Sequence, residues 1–446
     1  MRKSTSLCLV LLVVLSLVAF CQVGYSTESV LTLDDLPTSG ESVLISSDSV
    51  FAVNSGETAV IEGTLSVNGT DDSLINFEII NFGELTIKST SIRCNHANFT
   101  IQNRGTLTVQ TSHFTVVGDS TLNIGNTVDC SMTETSFDVI GGYAYIQNVG
   151  SLTIHNGYFK DQFDGTLITN YGTADLSECT FVANGAEGKI EIFSSSDLQL
   201  AHGVFDVNYG GKVNLNTLTG TLTMTECNMD ISGASHGRKS EINFLIGNST
   251  LDSCSIVNNG GTINCLNTGE VYVTDCTVSM SSVNATTILS SSGPMFFESV
   301  DLSGSGSASI TNWDYMRFSS VNFECSDSLT LMNNGELDAN DWFIKTTSSN
   351  ARIVVYIGDD GSIKFNVPFI ENVDSSVLAS VGPDGQEFVE SSGGTITVTN
   401  NNLIAKQNST NGGFDSNLIY ILVVAAVVIV VVIFFMMKKK QKPDSL

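Results

Sequence analysis

Residues able to carry acid–base, metal or thiol chemistry are few in this chain and poorly grouped. Adjacent carboxylates occur at Asp34-Asp35, Asp71-Asp72 and Asp359-Asp360. Paired carboxylates beside a lysine or arginine could move a proton next to a bound sugar acid. The best pair, Asp359-Asp360, lies between Gly358 and Gly361 and reads as a turn; the other two read as solvated loop charge. Arg93, Arg104, Arg238, Lys239, Arg317 and Arg352 are scattered. The histidines, His96, His113, His155, His202 and His236, share no common spacing, and no Cys-x-x-Cys occurs. No catalytic residue, metal site or cofactor is therefore expected. The Gly-x-Gly spacings precede no helix, so they are turn glycines and not phosphate cradles.

What would position any such residue is a repeat. Residues 103–114 hold its pattern: Asn103, Gly105, then Leu107, Val109 and Phe114 at four, six and eleven positions after the Asn. The pattern recurs at Asn81, Asn148, Asn170, Asn267 and Asn333, with weaker copies starting at Asn126, Ser194, Gly220, Gly247, Gly293 and Asn312. Most starts are 20 to 24 residues apart, with 27 between Leu218 and Leu245. Such a period marks a solenoid whose units bury their faces against neighbours. Within a unit, three short runs alternate apolar and polar residues, which is strand periodicity, and none has a helical period. The expected fold is all-β: a single parallel β-helix of three strands per coil and about fifteen coils, from near Ile61 to Leu403. The corner Asn is expected in the left-handed conformation or bonded to its own backbone, stacking into an amide ladder, with positive φ at the Gly two residues on.

The ends decide topology. Residues 1–26 read as a signal peptide, with Arg2 and Lys3 before an apolar run and a small-residue site at Gly24 and Ser26. Residues 27–399 form the β-helix, the stretch up to Gly56 holding an irregular first coil and an end cap. Residues 400–417 are a stalk; residues 418–437 carry no charge and match a bilayer as a helix; 438–446 form a cytoplasmic tail with four lysines. The expectation is a single-pass plasma-membrane protein with its N-terminus outside and membrane contact through the C-terminal helix. The net charge of −27 disfavours nucleic acid as a partner. Five glycosylation sequons fit that route: Asn68, Asn98, Asn248, Asn284 and Asn408.

Of the ten cysteines, eight follow the signal. Cys227, Cys254 and Cys276 share an inward phase in consecutive coils, so one vertical disulfide is expected, Cys254 with Cys276 or Cys227 with Cys254. Cys94, Cys130, Cys179, Cys265 and Cys325 read as small core residues.

The chain also has Phe-x-x-Asn at Phe51, Phe181, Phe205 and Phe369, and Gly-Gly-Thr-Ile at 260 and 393. In these motifs it resembles the repeats of the polymorphic membrane protein group, and more broadly pectin-lyase-like, right-handed parallel β-helix surface proteins. It departs from a bacterial autotransporter in ending on one apolar segment where a membrane barrel would stand. The resemblance implies the fold and a surface, adhesive role, not a substrate; the expected partner is a glycan or protein ligand on the rod surface. The alternatives are a polysaccharide lyase or hydrolase on the same scaffold, and a purely structural coat.

Overall fold

Period-two burial fixes the strands. In Ala97–Asn103, Thr106–Gln110 and His113–Val117 the residues Phe99, Ile101, Leu107, Val109, Phe114 and Val116 are buried, while those between them face outward. These three strands make one coil. The computed structural model describes residues 29–400 apart from 71–72, 164, 236–237, 326, 347–351, 358–361 and 367–394.

Each strand pairs in parallel with its counterparts one coil away. Thr121–Asn126 lies between Ala97–Asn103 and Tyr143–Asn148, Thr106–Gln110 between Glu84–Lys88 and Asp129–Thr133, and His113–Val117 between Ser91–Asn95 and Ser136–Ile140. The result is a parallel β-solenoid of about 14 turns with three sheets, here called first, second and third in chain order within a coil. Strand pairing begins earlier than Ile61, at Ser29–Leu31 with Ser49–Val53 and Ser42–Ile45 with Thr64–Asn68. The expected end of the solenoid at Leu403 lies outside the described residues. So do residues 1–26 and 418–437; among the described residues no helix is long and apolar enough to cross a membrane.

The amide ladder is present, but its corner geometry differs from expectation. Asn81, Asn103, Asn126 and Asn148 each donate Nδ2 to the Oδ1 of the next Asn at 2.7–2.8 Å, ending on Asn170. Asn170 then donates to Ser194 Oγ at 2.9 Å. Asn81 and Asn267 also accept from the N–H of the Gly two residues on, at 3.1 and 3.0 Å. Neither the ladder Asn residues nor these glycines have positive φ. The left-handed residues stand eight positions after each start: Thr111, Glu134, Asn156, Glu178 and His202, with φ of 47–54°. Their strain, of order 1–3 kcal/mol each, is offset by N–H bonds to the next coil, such as Glu134 N to His155 O at 3.0 Å. The corner glycines are needed for space. A Cβ on Gly105 would stand 2.1 Å from the Gly83 carbonyl oxygen, and one on Gly172 1.9 Å from that of Gly150.

Phase also shifts at one coil. The ladder column runs Ser194, Thr217, Ile246, Asn267, a longer interval than expected, whereas after the slip the expected 27 holds, as in Thr221 with Asn248 and Asn228 with Ser255. An antiparallel hairpin, Ala234–Ser235 with Arg238–Lys239, takes up the extra length, and the register slips between Thr217 and Thr221. At the N-terminal end a 3-10 turn, Leu33–Asp35, precedes the buried Leu36. Asp35 is no idle charge: its carboxylate accepts from Thr32 N at 2.7 Å, as Glu41 accepts from Thr38 N at 3.0 Å and Glu57 from Asn54 N at 2.9 Å.

Candidate functional site

Because inward positions are filled by the core, any site must be built from outward columns, one residue per coil. On the first sheet one such column reads Tyr145, Leu167, Glu191, Asn214, Asn243, Asn264. With coils about 4.8 Å apart it runs roughly 24 Å along the rod. Its lower end is flat and apolar: Tyr143 and Tyr145 stack at 5.8 Å and 14°, with Gly165 following Tyr143 in register. Its upper end is a second, outward amide ladder. Asn264 donates to Asn243 at 2.7 Å, Asn243 to Asn214 at 2.8 Å, and Asn214 to Glu191 Oε1 at 3.1 Å. Ion pairs Lys189–Glu191 and Lys212–Glu241, both 2.8 Å, flank it. Burial, then Tyr143 and Glu191, push the Tyr145 hydroxyl above the usual phenol range, so it stays a neutral donor. Ring faces beside amide donors and acceptors are the surface that a sugar ring with its hydroxyls complements.

A second aromatic platform lies on the second sheet. Tyr272 and Phe296 stack at 4.7 Å and 11°, with Tyr315 tilted against Phe296 at 5.7 Å. Arg317 follows Phe296 in register, and Tyr272 donates its hydroxyl to Glu270 at 2.6 Å.

The third sheet brings together two carboxylates that are not neighbours in the chain. Asp206 and Asp230 are register partners in adjacent coils. Burial first, and Asp206 second, raise Asp230 above the usual carboxylate range. Among the described residues no Lys or Arg forms an ion pair with either. Sequence reading missed this pair, as it missed the tyrosine and amide column, although equal coil phase was the signal for both.

The residues singled out in the sequence are not gathered. His113 meets Ser136 at 2.5 Å, His155 meets Glu178 at 3.8 Å and His202 meets Glu226 at 3.2 Å, three different positions of the coil. Among the described residues no three His, Cys, Asp or Glu could hold a metal. Asp71-Asp72, Asp359-Asp360, His236 and Asn408 lie outside the described residues. Asn248 and Asn284 are exposed; Asn68 and Asn98 are half-buried, Asn98 donating to Asn76 at 3.0 Å.

Cys227, Cys254 and Cys276 stand in one column as free thiols, Cys254 N donating to Cys276 Sγ at 3.4 Å. Cys179 joins the column, with Gly203 between it and Cys227. Each thiol donates to a carbonyl two residues back and to one in the preceding coil, as Cys179 does to Ser177 and Ile154. Thr90 and Ser112 do the same with hydroxyls in earlier coils, so the column is one of small donors. The hydrogen bond with the adjacent Cys254 sulfur first, and burial second, push the Cys227 and Cys276 thiols up, which leaves them protonated.

No family model matches the chain, and no curated protein matches it. Among solved structures, an alginate lyase complex is similar at 10% identity and a TM-score of 0.21, covering 83% of this chain and 92% of that one. The assignment as a parallel β-solenoid rests on the strand pairings themselves.

Proposed function

We propose that the chain is a single-pass, membrane-anchored surface glycoprotein whose solenoid is a non-catalytic display surface for a glycan or protein ligand. The observation that carries this reading is the outward column from Tyr145 to Asn264, with stacked tyrosine rings at one end and, from Glu191 to Asn264, a row of side chains held by its own hydrogen bonds. The apolar segment 418–437, the lysines after it, the signal-like start and the sequons support anchoring at the plasma membrane with the rod outside. The net charge of −27 favours a neutral glycan over a uronate polymer.

The test is a glycan array probed with the full-length chain in nanodiscs. Expected is binding of neutral glycans that weakens about tenfold or more in Tyr145→Ala, the loss of one stacking partner plus its hydroxyl. Retention of nothing on the array or on intact cells would favour a plain structural coat. The enzymatic alternative stands on Asp206 and Asp230, and cleavage of a polysaccharide that Asp206→Asn abolishes would establish it in place of the display reading.

A further inference from the structure

Cations all but disappear from the later coils. Residues 29–240 hold eight Lys and Arg, whereas from Glu241 to Ile344 there is one cation, Arg317, against twelve Asp and Glu. In the midst of that acidic stretch stands the platform of the second sheet, Tyr272, Phe296 and Tyr315, with Tyr272 43% exposed. Outward carboxylates border it. Glu270, two residues before Tyr272, stands on one side; Asp252 and Glu298, joined in register through Thr274, stand on the other. Among the described residues none of these three forms an ion pair.

The rings are not equivalent. Tyr272 and Phe296 lie 4.7 Å apart and nearly parallel, so each covers one face of the other, and Tyr315 leans on the far side of Phe296. The other face of Tyr272 looks toward its register partner Thr250, whose side chain is too small to cover a ring. An open ring face between carboxylates attracts a cation. A guanidinium suits it better than an ammonium, because it is planar, stacks, and pairs with a carboxylate through two N–H groups. We propose that this face binds an arginine-bearing segment of a partner protein, one guanidinium lying on Tyr272 between Asp252 and Glu270 and another reaching Glu298. The tiers from Asp252 to Asp338 cover roughly 19 Å of rod, the length of about six extended residues. A neutral glycan would leave these carboxylates uncompensated, so the surface differs in kind from the Tyr145 column and is independent of it.

The experiment titrates fluorescein-labelled hexa-arginine and hexa-lysine peptides with the full-length chain in nanodiscs of uncharged lipid, at physiological salt, and reads fluorescence anisotropy. Expected is hexa-arginine binding about tenfold tighter than hexa-lysine, and weakened about tenfold or more in Glu298→Lys and in Tyr272→Ala. Asp119→Lys makes the same change of net charge at an exposed position of an early coil, and should leave the affinity within about twofold, since salt screens charges that far away. The titration uses no glycan ligand, so its outcome and that of the glycan array are read separately. Equal losses in Asp119→Lys and Glu298→Lys would mean diffuse attraction to the net charge of −27 and would overturn the proposal. So would equal affinity for the two peptides, or hexa-arginine binding that Tyr272→Ala leaves unchanged.

Discussion

Asn126 uses one buried amide three times: it accepts from Asn103 at 2.7 Å and donates to Asn148 at 2.7 Å and to the Ser151 carbonyl at 2.8 Å. Removing it leaves a donor below and an acceptor above in a site without water. Asn126→Ala is expected to cost about 2–4 kcal/mol, taking roughly 1–3 for each orphaned group, and a lowered midpoint in urea unfolding would check it. The ladder was legible because Asn recurs at a fixed phase with apolar residues on both sides. The left-handed residues were not, since Thr, Glu, Asn and His share no chemistry at that position. There the conformation is imposed by backbone bonds to the next coil, such as Asn156 N to Ser177 O at 3.0 Å, and not by the side chain. The glycines two after each Asn were correctly found and wrongly explained: neighbouring backbone, and not φ, excludes a Cβ there.

Elements owe their stability to what stacks inside them. Phe137 is 1% exposed, with Phe114 5.0 Å below and Phe159 4.9 Å above, nearly parallel. Phe137→Ala removes a ring from a continuous column and leaves a gap that adjacent strands cannot close, since their spacing is fixed by backbone bonding. The expected loss is about 3–5 kcal/mol, read as faster amide exchange concentrated in Phe114 to Phe159 and their sheet neighbours. Because each coil contacts only its neighbours, exchange in coils near Met295 should change little. Strand positions were legible from alternation alone. The phase slip between Thr217 and Thr221 was not, because a hairpin leaves the apolar pattern on either side intact and alters only the count.

At the scale of the molecule, carboxylates of opposite sign of shift set different responses to acid. Backbone and hydroxyl bonds from Thr32 hold Asp35 below its ordinary 3.8, and hydroxyl and backbone bonds from Thr38 hold Glu41 below 4.5. Their contribution is present above those values and lost as pH falls through the lower folded ones, so the N-terminal end should loosen first in acid. Asp230 is raised above 3.8, so its folded form prefers the proton and stability is lost as pH rises through the carboxylate range. The protection of the Ser29–Leu31 amides, measured against their intrinsic exchange at each pH, should therefore fall from pH 6 to pH 3. Asp230→Asn should raise the melting temperature at neutral pH and not in strong acid. A gain of equal size at both pH values would sink the second expectation.

The ladder also has a sense. Each amide hands its proton toward the C-terminal neighbour, and the row closes where Ser194 takes one from Asn170 and gives its own to the Ser196 carbonyl at 2.7 Å. Asn267 repeats the closure onto Ser291, which donates to the Gly293 carbonyl. A hydroxyl has one hydrogen to give, so once it donates to the carbonyl two residues on it has none left for the next tier, whereas Asn148 bonds both the Gly150 carbonyl and Asn170. Cutting the rod between two linked tiers strands a donor on the N-terminal piece and an acceptor on the C-terminal one, whereas a cut just after Ser194 breaks no ladder bond. Shortened or lengthened versions of this rod should accordingly be spliced just after Ser194 or Ser291, where the row has already been closed.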